Sequence, residues 1–426
     1  MEHFDLVVIG AGAAGLAAAR TAVGLGARVA LAERGPLGGL SVNRGCIPKK
    51  ALVTAGRVHR LVRQAGGFGT FSGAVRLDWD AVQHRQNEIV DSHRPFATDL
   101  EKGGVRVVIG EVRFTDPHIV EVNGRPLGAE RFVIAAGSQP VVPDLPGQEL
   151  LITSDQLLFL PDFPASLIFI GAGPVALELA GAFNDFGTRV TVLARDAEIL
   201  PGVDADVARN LRKRMEERGV AFRLRTAVTS LARVADGVHI TFDSAGMANQ
   251  MTSRQVCAAV GRRFHPRTLG AARIGLEMGR LGLRTNPYLV TSVPQVLFTT
   301  PAVGLVGMAY GEAPAHGIQP AVARHDARGS SHSVATGEDD GYFKLVFDQD
   351  SQRLVGAQMV SPAAEELIQL CALAIRARVP ASMVETQISV HPSRTESLIR
   401  AFGPGPGAVA PPAEGAGVSR ERAAAL

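Results

Sequence analysis

Apolar and polar positions along the chain change period repeatedly, and the changes mark out elements. Residues 4–9, Phe-Asp-Leu-Val-Val-Ile, form a short apolar run that stops at glycines, after which Leu16 to Leu25 continue at helical spacing. The reading is strand, tight turn, helix. Arg28 to Ala32 predicts the next strand, and Leu52 to Gln64 and Trp79 to Lys102 predict helices. Val105 to Ile109 and His118 to Val122 read as short strands, and Phe132 begins a buried strand whose turn ends at Pro140. Pro161 to Pro164 reads as a linker, after which Leu167 to Ile170 restarts the strand–turn–helix order and Arg189 to Leu193 follows as a strand. From Val296 onward the pattern gives a strand, a polar loop, strands over Tyr342 to Phe347 and Leu354 to Val360, and a helix over Ala363 to Val379. The stretch from Gly403 to Leu426, rich in Gly, Pro and Ala, predicts a disordered tail. Strands alternating with helices put the chain in the α/β class.

Composition narrows this picture modestly. A length of 426 residues suggests roughly two to four domains. With 46% apolar residues, 20% charged residues and a net charge of +3, the chain is an ordinary globular one. No dense run of Lys and Arg with interleaved aromatics points to nucleic acid. Cys46, Cys257 and Cys371 lie far apart, which suits neither a Cys-x-x-Cys metal pair nor a secreted disulfide framework. No metal site is expected, and the default compartment is a reducing cytoplasm. The apolar run Leu6 to Ala19 lacks a basic leader and is too short to span a membrane.

The two strand–turn–helix units carry chemistry. In Gly10-Ala-Gly12-Ala-Ala-Gly15, Gly10 allows the turn, Gly12 admits a pyrophosphate and Gly15 lets helix and strand pack closely. The second strand then delivers Glu33, placed to accept hydrogen bonds from a ribose. Gly171-Ala-Gly173-Pro-Val-Ala176 repeats the fingerprint, with Ala176 as the small third member. Here the following strand ends at Arg195, where an NAD site would place a carboxylate. An arginine suits a 2′-phosphate, so NADPH is favoured over NADH, unless Arg195 is a solvated loop residue.

Between the two units lies Gly38 to Lys50, Gly-Gly-Leu-Ser-Val-Asn-Arg-Gly-Cys-Ile-Pro-Lys-Lys. Pro48 suits a first helical turn, so Cys46 sits where the helix dipole favours a thiolate. The stretch resembles the redox loop of the pyridine nucleotide-disulfide oxidoreductases, the flavoproteins that include dihydrolipoamide dehydrogenase, glutathione reductase and mercuric reductase. In that family two cysteines occupy the loop, the first exchanging with the substrate disulfide and the second lying against the flavin. Ser41 stands at the first position and Cys46 at the second. A serine forms no disulfide, so the ordinary dithiol relay cannot run between them.

The resemblance extends over residues 4 to 402 and assigns further roles. It places Gly10, Gly12, Gly15, Glu33, Gly38, Gly39, Ser41, Ala136, Gly137 and Gly261 around FAD, and Gly171, Gly173, Ala176 and Arg195 around the nicotinamide cofactor. It implies an ion pair between Lys50 and Glu178 beside the flavin, and it puts Pro174 where glutathione reductase has a tyrosine lid. Ser389-Val-His391-Pro-Ser-Arg-Thr-Glu396 resembles the family's His-Pro-x-x-x-Glu, in which the histidine of one subunit reaches the thiol site of the other and the glutamate orients it. A histidine held by a carboxylate is a proton donor and acceptor near neutral pH.

The implied architecture is an FAD domain (1–147), an NAD(P)H domain (148–265), a shortened return to the FAD domain (266–297), an α+β dimerisation domain (298–402) and a tail (403–426). The return is short because Thr291-Ser-Val-Pro294 resembles the phrase before a flavin-binding Gly-Asp pair, yet Gln295 to Gly307 already resembles the opening of the interface domain. The leading expectation is a homodimeric, FAD-dependent NAD(P)H oxidoreductase that passes electrons to a small-molecule acceptor: a quinone, a thiol or a disulfide. Two other readings stay open. One is an inactive or regulatory homologue with impaired flavin binding; the other is a reductase that draws its second sulfur from Cys257, Cys371 or a small thiol. Mercury reduction is disfavoured, since the tyrosine and the C-terminal cysteine pair usual in mercuric reductases are missing.

Overall fold

The computed structural model describes residues 1–71, 73–263, 269–270, 295–297, 302–338, 341–387 and 389–403. They form two compact units, one holding the described residues of 1–201 and 211–270, the other those of 202–210 and 295–403. The return expected over 266–297, including Thr291 to Pro294, and the tail from 403 lie almost wholly outside the described residues.

The first unit begins with β1 (Glu2–Ile9), α1 (Ala13–Gly24) and β2 (Val29–Glu33), followed by α2 (Gly39–Arg44), α3 (Cys46–Gln64), α4 (Trp79–His93) and α5 (Ala97–Lys102). Strands β3 (Val105–Ile109), β4 (Val112–Asp116), β5 (Ile119–Val122) and β6 (Arg125–Ile134) complete a six-stranded sheet of order β3-β2-β1-β6-β5-β4. Its central pairs are parallel, with Val7 opposite Ala30 on one side and Phe132 on the other. Val7, Val8, Ala30 and Leu31 are fully enclosed, as expected of a strand pair covered on both faces.

A short strand β7 (Gln139–Pro140) leads to β8 (Ile152–Thr153), α6 (Ser154–Leu157), β9 (Ser166–Ile170), α7 (Pro174–Phe186), β10 (Arg189–Leu193), α8 (Ala205–Glu217) and β11 (Ala221–Arg223). An antiparallel sheet, β12 (Thr226–Val234), β13 (Gly237–Ser244) and β14 (Met247–Ser253), precedes β15 (Gln255–Ala258) and β16 (Arg262–Arg263). The second parallel sheet runs β11-β10-β9-β15-β8, and β16 pairs with β7.

The second unit is an antiparallel sheet of β17 (Gln295–Leu297), β18 (Ala302–Gly307), β19 (Pro320–Asp326), β20 (Tyr342–Asp348) and β21 (Leu354–Ser361), in the order β17-β18-β21-β20-β19. Helix α9 (Ser331–Thr336) lies before β20, and α10 (Ala364–Arg376), α11 (Ala381–Glu385) and α12 (Arg394–Arg400) follow β21. Leu367, Ile368 and Cys371 of α10 pack on Phe343, Leu345 and Met359 of the sheet. Each large apolar side chain so enclosed contributes about 1.5–3 kcal/mol.

Three local expectations change. Trp79 to Lys102 is two helices, because Pro95 forces Arg94 into extended backbone (φ −74, ψ 123) and ends α4 there. Helix α3 starts at Cys46 rather than Leu52, as Pro48 in its first turn permits. Pro161 to Pro164 is packed rather than slack: Trp79 Nε1 donates to Leu160 O at 2.9 Å, and its ring lies 5.4 Å from that of Phe163. Among the described residues, no helix is long and apolar enough to cross a membrane.

Candidate active site

The first cavity opens at the carboxyl end of β1, where a ligand belongs in an open α/β sheet. Gly10 has φ +103, and a Cβ there would lie 2.3 Å from Ala135 O. A Cβ on Gly15 would fall 1.8 Å from Gly10 O. Only glycine fits either position. Gly12 caps α1 without a side-chain bond, leaving the first-turn N–H groups facing the cavity edge. Gly10, Gly12, Glu33, Gly39, Ala136 and Gly137 line the cavity, together with Asn43 and Arg262. Gly15, Gly38, Ser41 and Gly261 do not line it. Gly15 serves packing, Gly38 donates its N–H to Ala11 O at 2.9 Å, Ser41 is half-buried on α2, and Gly261 faces the second cavity.

Glu33 is built into the cavity wall. Its Oε2 accepts from Ala11 N–H at 2.7 Å and its Oε1 from Gly35 N–H at 2.8 Å. These bonds fix the carboxylate at the end of β2, where a ribose hydroxyl can add a further hydrogen bond.

The redox loop packs against this cradle. A Cβ on Gly39 would lie 2.5 Å from Gly12 Cα, so the loop and the phosphate turn touch through two glycines. Asn43 fastens the loop: its Nδ2 donates to Gly39 O at 2.9 Å and Leu37 O at 3.0 Å, while its Oδ1 accepts from Arg94 Nε at 3.0 Å. Neither Asn43 nor Arg94 was expected at the site. The usable signals were a polar residue inside a short helix and an arginine at a proline-forced helix end. Cys46 is the first residue of α3 and is exposed, after a turn at Gly45 too tight for a side chain.

Helix α3 then crosses α7 at close range, because Gly56 leaves room for Ala182 O. Lys49 and Arg60 flank that contact, and both find acids on α7. Lys49 Nζ pairs with Glu178 Oε2, and Arg60 Nε lies 3.4 Å from Asp185 Oδ1. Lys49, which the sequence did not single out, is thus a partner of Glu178. On a helix, 49, 53, 56 and 60 share one face, so one side of α3 makes these contacts. Arg218 Nη2 also binds both oxygens of Asp185, at 2.8 and 2.9 Å. Burial pulls the Arg218 guanidinium down from its usual range, and Asp185 opposes that.

The second cavity repeats the plan at β9. Gly171 has φ +107, and a Cβ there would meet Ala259 O at 2.5 Å. Gly171, Gly173, Pro174, Arg195 and Gly261 line it, as does Asp196. Ala176 is fully enclosed, so its small side chain serves helix–strand packing. Arg262 borders both cavities. Its guanidinium donates to Asp155 Oδ1 at 2.6 Å and to Ser138 O at 2.9 Å, tying α6 to the turn before β7. The sequence segment was noted only for Gly261.

In the second unit, Ser393 caps α12 by accepting from Glu396 N–H at 3.2 Å. His391 Nδ1 lies 2.8 Å from Glu396 Oε2, so the pairing read from the sequence exists. A carboxylate only accepts, hence Nδ1 carries the proton and Nε2 is left as the base. The hydrogen bond from His391, then that from Arg400, holds the Glu396 carboxyl below its usual value. Cys257 and Cys371 are buried; burial raises both thiols, Cys371 to about 12. Neither is placed to supply a second reactive sulfur.

The sequence model of the family described as Pyridine nucleotide-disulphide oxidoreductase matches residues 4–299, and that of the family's dimerisation domain matches residues 293–402. Among curated relatives, the chain is 28% identical to a glutathione reductase of Nostoc sp., covering 93% of this chain and 98% of the relative. It is 31% identical to a glutathione reductase of Burkholderia cepacia (93% and 98% covered) and 29% identical to a dihydrolipoyl dehydrogenase of Geobacillus stearothermophilus (93% and 95%). The Nostoc alignment spans 456 positions, more than the 426 residues of the chain, so that relative carries residues missing here. The fold is similar to that of the HOCl-induced flavoprotein disulfide reductase RclA from Escherichia coli, with TM-score 0.80 and 25% identity over 93% of this chain and 99% of that one.

Proposed function

The chain belongs to the pyridine nucleotide-disulphide oxidoreductase family, and on that premise we propose that this FAD-dependent oxidoreductase takes electrons from NADPH and works with one active-site thiol, Cys46. The acceptor class is a disulfide, a thiol adduct or a quinone. One observation carries the reading: glycine turns close both cavities, while Cys46 is the one exposed cysteine among the described residues and follows the loop packed against the first cradle.

The first cradle fits FAD. At Gly10 and Gly15 any Cβ would collide with backbone, so glycine is needed there for the turn and for seating α1, while Gly12 at the cavity edge admits a pyrophosphate and Glu33 supplies the ribose acceptor. When bound, FAD supplies a two-electron acceptor for the hydride of a nicotinamide. Arg195 would hold the 2′-phosphate of NADPH at the end of β10, and Pro174 leaves the mouth of that cavity without an aromatic lid.

The chain's own residues account for thiol chemistry. Cys46 opens α3 and is exposed, so an acceptor can reach its sulfur. Attack on an acceptor disulfide would form a mixed disulfide with Cys46 and release one thiolate, which takes a proton from the His391 imidazolium. Glu396 holds that ring through Nδ1 and leaves Nε2 for the proton transfer. The chain carries the family's dimerisation domain and forms a homodimer, and in this proposal His391 serves the Cys46 of the partner subunit.

Steady-state turnover with NADPH tests the reading, comparing a small disulfide and a benzoquinone as acceptors in wild type and Cys46→Ala. Loss of the disulfide reaction alone supports the single-thiol route. Equal disulfide rates in both proteins would refute it.

A further inference from the structure

We propose that Arg400 is a positioning residue of the proton-transfer site: it occupies one oxygen of Glu396 and so presents the other to His391, making an Arg–Glu–His unit. This rests on the thiol chemistry proposed above. The geometry is direct. Arg400 Nη2 donates to Glu396 Oε1 at 2.5 Å, while His391 Nδ1 meets Glu396 Oε2 at 2.8 Å. Arg400 is one turn beyond Glu396 on α12, so the helix itself sets the spacing. A carboxylate gripped at one oxygen by a guanidinium cannot rotate that oxygen toward the imidazole.

The arrangement has a chemical consequence. A lone Glu beside a His stabilises the imidazolium and raises its basicity. Arg400 shares the carboxylate charge, so Glu396 does not offer its full charge to the imidazole alone. Other charged groups near α12 do not duplicate this role. Arg394 is engaged with Glu338, Asp326 with Arg328, and Glu385 of α11 lies beside Gly403 at the far end. His325 of β19 is kept below its usual value by burial first and then by Arg400.

The test is an NMR titration of the histidine ring signals in the full-length dimer. His391→Asn assigns the His391 signal, and Arg400→Met and Arg400→Lys are compared with wild type. Arg400→Met is expected to move the His391 midpoint upward by about half a pH unit, a size set by a screened charge several ångströms away. Arg400→Lys, which keeps the charge, should stay near wild type. An unchanged or lowered midpoint in a folded Arg400→Met protein would overturn the proposal. The titration needs no turnover, so it is separable from the functional reading. If release of thiol from a Cys46 mixed disulfide keeps its pH profile while the midpoint moves, the role given to His391 fails and that of Arg400 stands.

Discussion

Lys49 and Glu178 form an ion pair across the contact of α3 with α7, three residues into the helix that Cys46 begins. Glu178 is almost wholly enclosed, at 2% exposure, so its charge depends on partners. Lys49→Met is expected to destabilise the protein by about 2–3 kcal/mol, since one partner of a buried pair is removed. NADPH-dependent turnover should fall as well. Lys49→Arg, which keeps the charge, should cost less on both counts. Urea denaturation and steady-state rates of the two variants check the order; equal losses would contradict it.

Ser41 lies on α2, five residues before Cys46. Ser41→Cys is expected to restore the dithiol of the family loop. After mild oxidation the variant should show no accessible thiol to a colorimetric reagent, against one in wild type, because Cys257 and Cys371 are buried. Disulfide reduction should rise with the new bond. A thiol count of two after oxidation would show that the loop does not bring the sulfurs together.

Arg195 lines the second cavity beside Asp196. Arg195→Ala is expected to raise KM for NADPH about tenfold, the loss of one charge-assisted contact of roughly 1.4 kcal/mol or more, and to leave KM for NADH nearly unchanged. Comparable changes for both cofactors would argue for a role unrelated to the 2′-phosphate.

Asp206 gathers the cations of the second unit. Its Oδ1 lies 2.8 Å from Lys344 Nζ and its Oδ2 2.8 Å from Arg324 Nε. Burial alone would raise this carboxyl, but the bonds from Arg324 and Lys344 outweigh it and hold the carboxyl well below the carboxylate range. A folded value below the unfolded one means the stabilisation is present above the unfolded value, near 3.9, and is lost as pH falls through the folded value. Asp206→Asn should therefore cost about 1–2 kcal/mol at pH 7, after allowing for the side chain's partial exposure, and the deficit should shrink in strong acid. Thermal melts from pH 7 down to pH 2 measure it, and a constant deficit would contradict the linkage.

The parallel sheets and both glycine turns were legible because period and glycine spacing are local properties. Gly10, Gly12, Glu33 and Arg195 line cavities as their positions in the two units required. The His391 and Glu396 contact was also legible, since the two residues lie only five apart across the start of α12. The Lys49 contact was not, because it depends on which face of α3 meets α7, and Gly56 sets that face only in three dimensions. Arg94 and Arg262 were missed for a related reason. Arg94 lies 51 residues from its partner Asn43, and Arg262 lies 107 residues from Asp155, so no sequence period links them. The question of the Gly-Asp segment falls on residues 291–294, outside those described.

The central claim is that one thiol serves a working flavin site, and an anaerobic NADPH titration followed by visible absorbance tests it most directly. The account predicts a protein purified with bound flavin that bleaches, or gains a long-wavelength band, on adding NADPH, with any such band absent from Cys46→Ala. A colourless protein that takes up no flavin from excess FAD, or a long-wavelength band that persists in Cys46→Ala, would contradict it.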